Sequence, residues 1–334
     1  MFEYNYVTHT RYNSLIFMSS KNRPFILITE PEYFTPQSIK IMQRVGEVKA
    51  ERLSRGSLIK IIPRVNILVV RVETTVNVSL LKLASNLQCI VSATTGTNHI
   101  DVKYLASRNI PFFHLSGIHS VPTAEHTIAL LISAARRIPF AHQSMETGVW
   151  KRWEYIGTEI DGKILGIVGV GRIGSEVAKR AKGLGLEVIG YDPYLSESEI
   201  KLKHAKKVNF ETFLRKSDFI SIHTPLTEET HNMISFKHFK KMKPSAILVN
   251  TARGAIINTK ALLQALVQNK INSAALDVYN EEPLSKNSSL IQYAKNNTNL
   301  ILTPHIAAST KEAIERASLY TANTVTKFLR QNHT

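Results

Sequence analysis

A single cysteine, Cys89, stands in 334 residues, so no disulfide can close within the chain. It lies in the apolar run Leu87 to Val91, which reads as a buried strand, and a reducing, cytoplasmic setting is expected. Long apolar runs are also missing. None approaches the roughly 18 residues a membrane span requires, and the patch Leu15 to Met18 is too brief for the core of a signal peptide. Acidic residues are scarce: 26 against 42 Lys and Arg, for a formal charge of +16. Such a surplus favours acidic ligands. Nucleic acid is not expected as a partner, because no zinc-finger spacing, aromatic RNA-binding run or basic recognition helix accompanies the charge. The basic clusters Lys201 to Lys207 and Lys237 to Lys243 read as solvated helix faces. Residues 1–23 lack apolar periodicity and read as an N-terminal tail, with Met18 a natural start.

What is present is the composition of a folded protein, 43% hydrophobic and 20% charged, at a length that predicts about two domains. From Phe25 onward short β-branched runs alternate with helix-like segments, the pattern of an α/β protein with parallel sheets wrapped by helices. The first set of strands is expected at Phe25 to Thr29, Asn66 to Arg71, Leu87 to Ser92 and Ile110 to His114. A helix over Pro122 to Ile138, with its proline where a missing N–H does no harm, separates it from a second set. That set reads Ile164 to Val168, Glu187 to Tyr191, Phe219 to His223, Ala246 to Asn250, Ser273 to Asp277 and Asn299 to Leu302, each apolar enough to be buried on both faces. A last helix is expected over Thr310 to Arg330, with hinges near residues 116–122 and 305–310.

Between the strand Ile164 to Val168 and a helix starting near Ile173 sits Gly169-Val-Gly171-Arg-Ile-Gly174. In that context Gly169 allows a tight turn, Gly171 lets the backbone approach a pyrophosphate, and Gly174 lets the helix pack close to the strand. Asp192, eighteen residues beyond Gly174 at the end of the next strand, can accept hydrogen bonds from an adenosine ribose. A carboxylate there repels a 2′-phosphate, so NAD is expected over NADP.

Ligands of an open parallel sheet bind beyond the carboxyl ends of its strands. The second set delivers there Asp192, Thr224-Pro225, Thr251-Ala252-Arg253-Gly254, Asp277 and Thr303-Pro-His305, with Glu281-Glu282-Pro283 close behind Asp277. An arginine, a carboxylate and an imidazole thus gather at one edge of a dinucleotide site. Oxidising a 2-hydroxy acid requires removal of the hydroxyl proton as the hydride leaves, and an imidazole such as His305 titrates near working pH. A carboxylate such as Glu282 can fix the ring tautomer, and Arg253 can grip the substrate carboxylate. No metal is called for. Of the other histidines, His99, His119 and His223 suit a pocket, whereas His204, His231 and His238 are expected on the surface.

Through GIVGVGRIG, GYDPY, HTPLTEETHNMI, MKPSAILVNTARGAIIN, AALDVYNEEP and LTPHIAAST, over about residues 24–325, the chain resembles the D-isomer-specific 2-hydroxyacid dehydrogenase family. The resemblance implies catalytic Arg253, Glu282 and His305, Glu282 being the acid that directly precedes Pro283. It implies cofactor contacts at Thr95, Gly169, Gly171, Arg172, Ile173, Gly174, Asp192, Thr224, Thr251, Ala252, Arg253, Asp277 and His305. It further implies two doubly wound parallel-sheet domains, an NAD-binding Rossmann domain over residues 119–305 inserted into a flavodoxin-like substrate domain of residues 24–118 and 306–334. A homodimer packed through the helix after Pro122, with its apolar run Ile128 to Ala135, is also implied. The loop Ser92 to Asn98 resembles the family segment that holds a substrate carboxylate, with Thr95 and Gly96 as contacts.

Within the family the stretch METGVWKRWEYIGTEIDGKILGIVGVGRIG is similar to D-3-phosphoglycerate dehydrogenases, which implies 3-phosphoglycerate as the substrate. Arg71 stands where those enzymes carry a phosphate-binding arginine, with Lys151 and Arg152 as further cations. Ser92, however, stands where some carry a second arginine, which keeps hydroxypyruvate or glyoxylate reduction open. The short stretch after the last helix predicts no appended regulatory domain. A non-enzymatic NAD-sensing interaction protein is the alternative from another class.

Overall fold

The computed structural model describes residues 23–331. The tail expected over residues 1–23 lies outside them except for Arg23. The chain divides into two compact units, Met1–Leu115 with Ile314–Thr334, and Ser116–Ala313. The crossings fall at residues 115/116 and 313/314 rather than at 118/119 and 305/306, because the segment after His305 remains tied to the second unit by hydrogen bonds from the Ile306 and Ala307 N–H groups to Asp277.

The first unit is built on a five-stranded sheet: β1 Phe25–Ile28, β2 Glu47–Ala50, β3 Ile67–Val70, β4 Cys89–Ser92 and β5 Phe112–His114, in the order β2-β1-β3-β4-β5. Every pairing is parallel, and the order is the flavodoxin-like one. Strands β1, β3 and β4 are buried at every residue, which is why their sequences read as unbroken apolar runs. Strand β2 escapes that reading. Its sequence EVKA is polar and partly exposed at the sheet edge, where only one neighbour must be matched. Leu27, Leu68, Val70 and Ile90 are fully buried in the core under the helices of this unit. The helix Lys311–Gln331 buries Ala317, Ala322, Val325 and Leu329 and sets the Phe328 ring 6.2 Å from Phe113.

The second unit carries a seven-stranded, all-parallel sheet: β6 Ile164–Val168, β7 Glu187–Tyr191, β8 Lys206–Lys207, β9 Phe219–Ile222, β10 Ile247–Asn250, β11 Ser273–Leu276 and β12 Leu300–Leu302. Their order is β12-β11-β10-β9-β6-β7-β8. Counted from β6 this is the Rossmann winding, and the direction of travel reverses between β6 and β9. The two-residue edge strand β8 was not foreseen, since two lysines give no strand signal.

The helix Ser120–Arg136 packs on this sheet and on the helix Arg172–Gly183. Its run Ile128 to Ala135, expected to meet a second protomer, is spent inside the unit. Ile128, Leu130, Leu131, Ala134 and Ala135 are all buried in the core that also holds Leu165, Ile167, Val177 and Val249. The large exposed apolar side chains follow instead, at Ile138, Met145, Trp150, Trp153 and Ile156. Among the described residues no helix is long and apolar enough to cross a membrane.

Candidate active site

The turn after β6 needs each of its glycines for a separate reason. Gly169 has a φ of +82°, and a Cβ on it would lie 2.8 Å from the His223 carbonyl and the Thr224 nitrogen. A Cβ on Gly174 would lie 2.2 Å from the Gly169 oxygen. At Gly171, the residue that opens the helix Arg172–Gly183, a Cβ would meet nothing within 4 Å. Two glycines therefore permit close packing and the third leaves room, the arrangement that lets a pyrophosphate sit at the start of a twelve-residue helix. Ile173 lies half-buried in the first turn, and the Arg172 guanidinium donates to Ser116 Oγ.

Asp192, at the end of β7, braces the same turn. Its Oδ2 accepts from the Val170 N–H at 3.0 Å and its Oδ1 from the Tyr194 N–H at 3.1 Å. The carboxylate is thereby held beside the glycine turn, beyond the end of β7. Thr224 follows β9 beside Gly169. His223, just before it, hydrogen-bonds Ser221 Oγ through Nε2 at 2.6 Å, and its buried Nδ1 has no partner. Burial drives its pKa from 6.5 down to about 3, so the ring is neutral.

The chemistry-bearing side chains come from the other wing of the sheet. At the end of β10 the fully buried Asn250 accepts from the Ala252 N–H at 3.0 Å and donates to the Arg253 carbonyl at 2.9 Å. Thr251, also buried, meets Thr127 Oγ1 at 2.8 Å. Arg253 Nη1 donates to the Ala252 carbonyl at 2.6 Å. Burial lowers the Arg253 pKa while the charge of Glu282 pulls it back up. A Cβ on Gly254 would fall 1.9 Å from the Tyr279 carbonyl carbon, so glycine lets the turns after β10 and β11 touch backbone to backbone.

That contact brings Glu282 into place. Its Oε1 accepts from the Tyr279 N–H at 2.9 Å, and its Oε2 lies 2.6 Å from His305 Nδ1. Burial opposes its ionisation, but the bonds from His305 and Tyr279 and the charge of Arg253 outweigh that and hold the carboxyl below its usual range. With Nδ1 committed to Glu282, Nε2 is the His305 nitrogen left to exchange a proton, on a side chain 38% exposed.

Asp277, at the end of β11, has no exposed surface. Its Oδ1 accepts from Thr303 Oγ1 at 2.6 Å and the Ile306 N–H at 2.9 Å, and its Oδ2 accepts from the Ala307 N–H at 2.9 Å. The structure thus shows it clasping the turn that carries His305. Two residues of this cluster escape sequence reasoning: Asn250, which holds the Arg253 turn, and His126, whose Nε2 lies 3.4 Å from Asp277 Oδ1. The signal for Asn250 was available, as a polar residue ending an otherwise apolar strand.

Of the remaining expected contacts, Arg71, Ser92, Thr95 and Gly96 belong to the first unit. Arg71 follows β3 with its guanidinium 4.1 Å from the centre of the Tyr33 ring and its buried Nε without a partner. The Arg71 N–H donates to Glu30 Oε1 at 3.0 Å, and Glu30 also accepts from the N–H groups of Glu73 and Thr74, so the Arg71 loop is tied to the end of β1. Ser92 hydrogen-bonds Thr94 at 2.7 Å and His99 at 3.3 Å, and Thr94 Oγ1 donates to the Gly96 carbonyl at 2.8 Å. Thr95 is exposed and Gly96 half-buried. Lys151 and Arg152 lie in the second unit and are engaged there, Lys151 with Glu154 at 3.0 Å and Arg152 over Trp153 at 5.3 Å. His204 and His231 are exposed as expected. His238 is not fully at the surface, since it packs edge-on to Phe210 with ring centres 5.4 Å apart.

Comparison with known proteins bears on the second unit directly. The family model described as "D-isomer specific 2-hydroxyacid dehydrogenase, NAD binding domain" matches residues 128–307. The chain belongs to this family. The matched residues fall within the second unit, which corresponds to the NAD-binding domain of that family. Among curated relatives, a D-3-phosphoglycerate dehydrogenase of Archaeoglobus fulgidus is 40% identical over 291 residues, 86% of this chain and 54% of that protein. A glyoxylate reductase of Thermococcus litoralis is 37% identical over 321 residues, 92% of this chain and 94% of that protein. The chain therefore spans about half the length of the first of these and nearly all of the second. The crystal structure of D-lactate dehydrogenase from Aquifex aeolicus complexed with NAD and lactic acid superposes with a TM-score of 0.83 at 26% identity, covering 92% of this chain and 96% of that one.

Proposed function

We propose that the protein is an NAD-dependent oxidoreductase that moves a hydride between C2 of a D-2-hydroxy acid and nicotinamide, with 3-phosphoglycerate and 3-phosphohydroxypyruvate as the substrate pair. The observation that carries this reading is the 2.6 Å contact of His305 Nδ1 with Glu282, beside Arg253, at the carboxyl ends of β10 to β12. NAD supplies the hydride acceptor. Thr95, Gly169, Gly171, Arg172, Ile173, Gly174, Asp192, Thr224, Thr251, Ala252 and Asp277 would hold it. Among the described residues Oδ2 of Asp277 has one hydrogen-bond partner, the Ala307 N–H, and retains capacity for an amide N–H.

In the oxidative direction His305 Nε2 takes the proton of the substrate C2 hydroxyl as the hydride leaves C2, and the C–O single bond becomes a carbonyl. Glu282 stabilises the imidazolium that forms. In reduction the same nitrogen returns the proton. Arg253 grips the substrate carboxylate and polarises the reacting oxygen, aided by the loop holding Thr95 and Gly96. Arg71, with its unpartnered Nε, is assigned to the phosphate.

A second reading, reduction of hydroxypyruvate or glyoxylate, is favoured by Ser92. This side chain is neutral and committed to Thr94 and His99, so it adds no charge for a phosphate dianion. We further infer a homodimer of a cytoplasmic enzyme, paired through the exposed segment that includes Trp150, Trp153 and Ile156.

NADH oxidation against phosphohydroxypyruvate, hydroxypyruvate, glyoxylate and pyruvate tests the proposal. The highest kcat/KM is expected with phosphohydroxypyruvate, and Arg71→Ala should lower it by about 10-fold or more for that acid while sparing the others. An equal loss on all four acids would remove the phosphate role. No turnover with any of them would remove the enzymatic reading.

A further inference from the structure

His126 sits in the middle of the helix Ser120–Arg136 with 20% of its side chain exposed. Its Nε2 is 3.4 Å from Asp277 Oδ1 and 3.3 Å from Thr303 Oγ1. Thr303 has one hydroxyl proton, and its 2.6 Å bond to Asp277 Oδ1 takes it. Toward His126 the threonine oxygen can then only accept, which places the proton of the neutral ring on Nε2. A relay results, from His126 to Thr303 and from Thr303 to a carboxylate without exposed surface, with the His126 N–H also 3.4 Å from that carboxylate.

Asp277 also accepts from the two peptide N–H groups that follow His305, those of Ile306 and Ala307, each at 2.9 Å. His305 has a φ of +53°, in the left-handed region, where a residue with a side chain persists only if its surroundings impose it. Glu282 fixes the rotation of the ring, and its hydrogen bonds go to that ring and to the Tyr279 N–H rather than to the backbone that carries His305. That backbone is held by Asp277, by the His305 N–H to the Thr303 carbonyl at 3.0 Å, and by the Tyr279 hydroxyl on the same carbonyl at 2.8 Å.

We propose that His126 is a positioning residue for the reacting imidazole, acting through Asp277 and Thr303. It keeps the buried carboxylate turned so that both N–H groups after His305 are captured and Nε2 stays presented to the substrate. The proposal rests on the enzymatic reading above. A buried carboxylate that loses a donor cannot recover it from water, so the loss passes to the partners it still holds.

Two substitutions separate this role from plain packing. His126→Phe keeps a ring without a donor, and His126→Gln keeps an N–H donor without the ring. His126→Phe should lower kcat by about 10- to 100-fold, the scale of a small misplacement of a reacting group. The NADH dissociation constant, read by fluorescence titration, should stay within about twofold of wild type. His126→Gln should bring kcat back to within about threefold. In 15N-histidine-labelled protein the ring nitrogen signals of His305, assigned by their loss in His305→Asn, should move in His126→Phe and return in His126→Gln. Unchanged kcat and unchanged His305 signals in His126→Phe would overturn the proposal, as would equal losses in both variants. If the wild type turns over none of the acids, the enzymatic reading falls, and the His305 signals alone decide whether His126 positions the ring.

Discussion

The Nδ1 atom of His305 stands 2.6 Å from Glu282 Oε2, while Glu282 Oε1 is held 2.9 Å from the Tyr279 N–H. The carboxylate thus joins two loops, and its charge is set against the Nδ1 edge of the imidazole. Glu282→Gln keeps the shape and removes the charge. It should lower kcat by about 100-fold, within the range expected of an acid–base pair, and leave NADH affinity unchanged. Steady-state rates and a fluorescence titration check both halves, and a kcat within threefold of wild type would deny Glu282 its role.

Gly254 and Gly171 make opposite predictions. A Cβ at Gly254 would lie 1.9 Å from backbone of Tyr279, whereas one at Gly171 would meet nothing within 4 Å. Gly254→Ala should destabilise by about 2 kcal/mol or more in urea unfolding and depress kcat, because Tyr279 holds Glu282. Gly171→Ala should change stability by less than about 0.5 kcal/mol and instead weaken NADH binding, since the added methyl enters the space left for pyrophosphate.

Asp192 carries a double load, bracing the Val170 and Tyr194 N–H groups and presenting negative charge beyond β7. Asp192→Asn retains one acceptor and removes the charge. The ratio of kcat/KM for NADPH to that for NADH should rise by about 10-fold or more. A ratio that does not move would assign the carboxylate to the turn alone.

His223 supplies a pH test of stability. In the folded chain its pKa is about 3, against 6.5 for the exposed ring. Between those values the unfolded chain binds the proton and the folded chain does not. Stability contributed by the neutral ring is therefore complete above about pH 6.5 and drains away as the pH falls toward 3. His223→Asn should flatten the fall in Tm between pH 7 and pH 5, measured by calorimetry, whatever it does to Tm at pH 7. Parallel curves for the two proteins would refute this.

Much of this architecture is legible in the sequence, for physical reasons that also explain the gaps. Strands buried on both faces must be apolar throughout, so β6 and β7 are found at their observed limits. Edge strands carry no such constraint, and β2 and β8, made of EVKA and KK, leave no trace. Glu282 is picked from the pair Glu281-Glu282 only by the resemblance, through the proline after it, whereas Arg253 and His305 draw notice because they follow closely where apolar strands end. His126 does not. It borders the buried helix stripe of Thr123, Ala124, Thr127 and Ile128, where a polar residue draws notice only once the carboxylate opposite it is known. The apolar run of the same helix shows the converse error, since periodicity marks a face as buried without saying by what.

The winding of the second sheet has a further effect. The glycine turn and Asp192 follow β6 and β7, and Arg253, Glu282 and His305 follow β10, β11 and β12, on either flank of a single sheet. On the proposed function, the acid acted on can be retuned from one flank while the coenzyme preference set at Asp192 stays where it was.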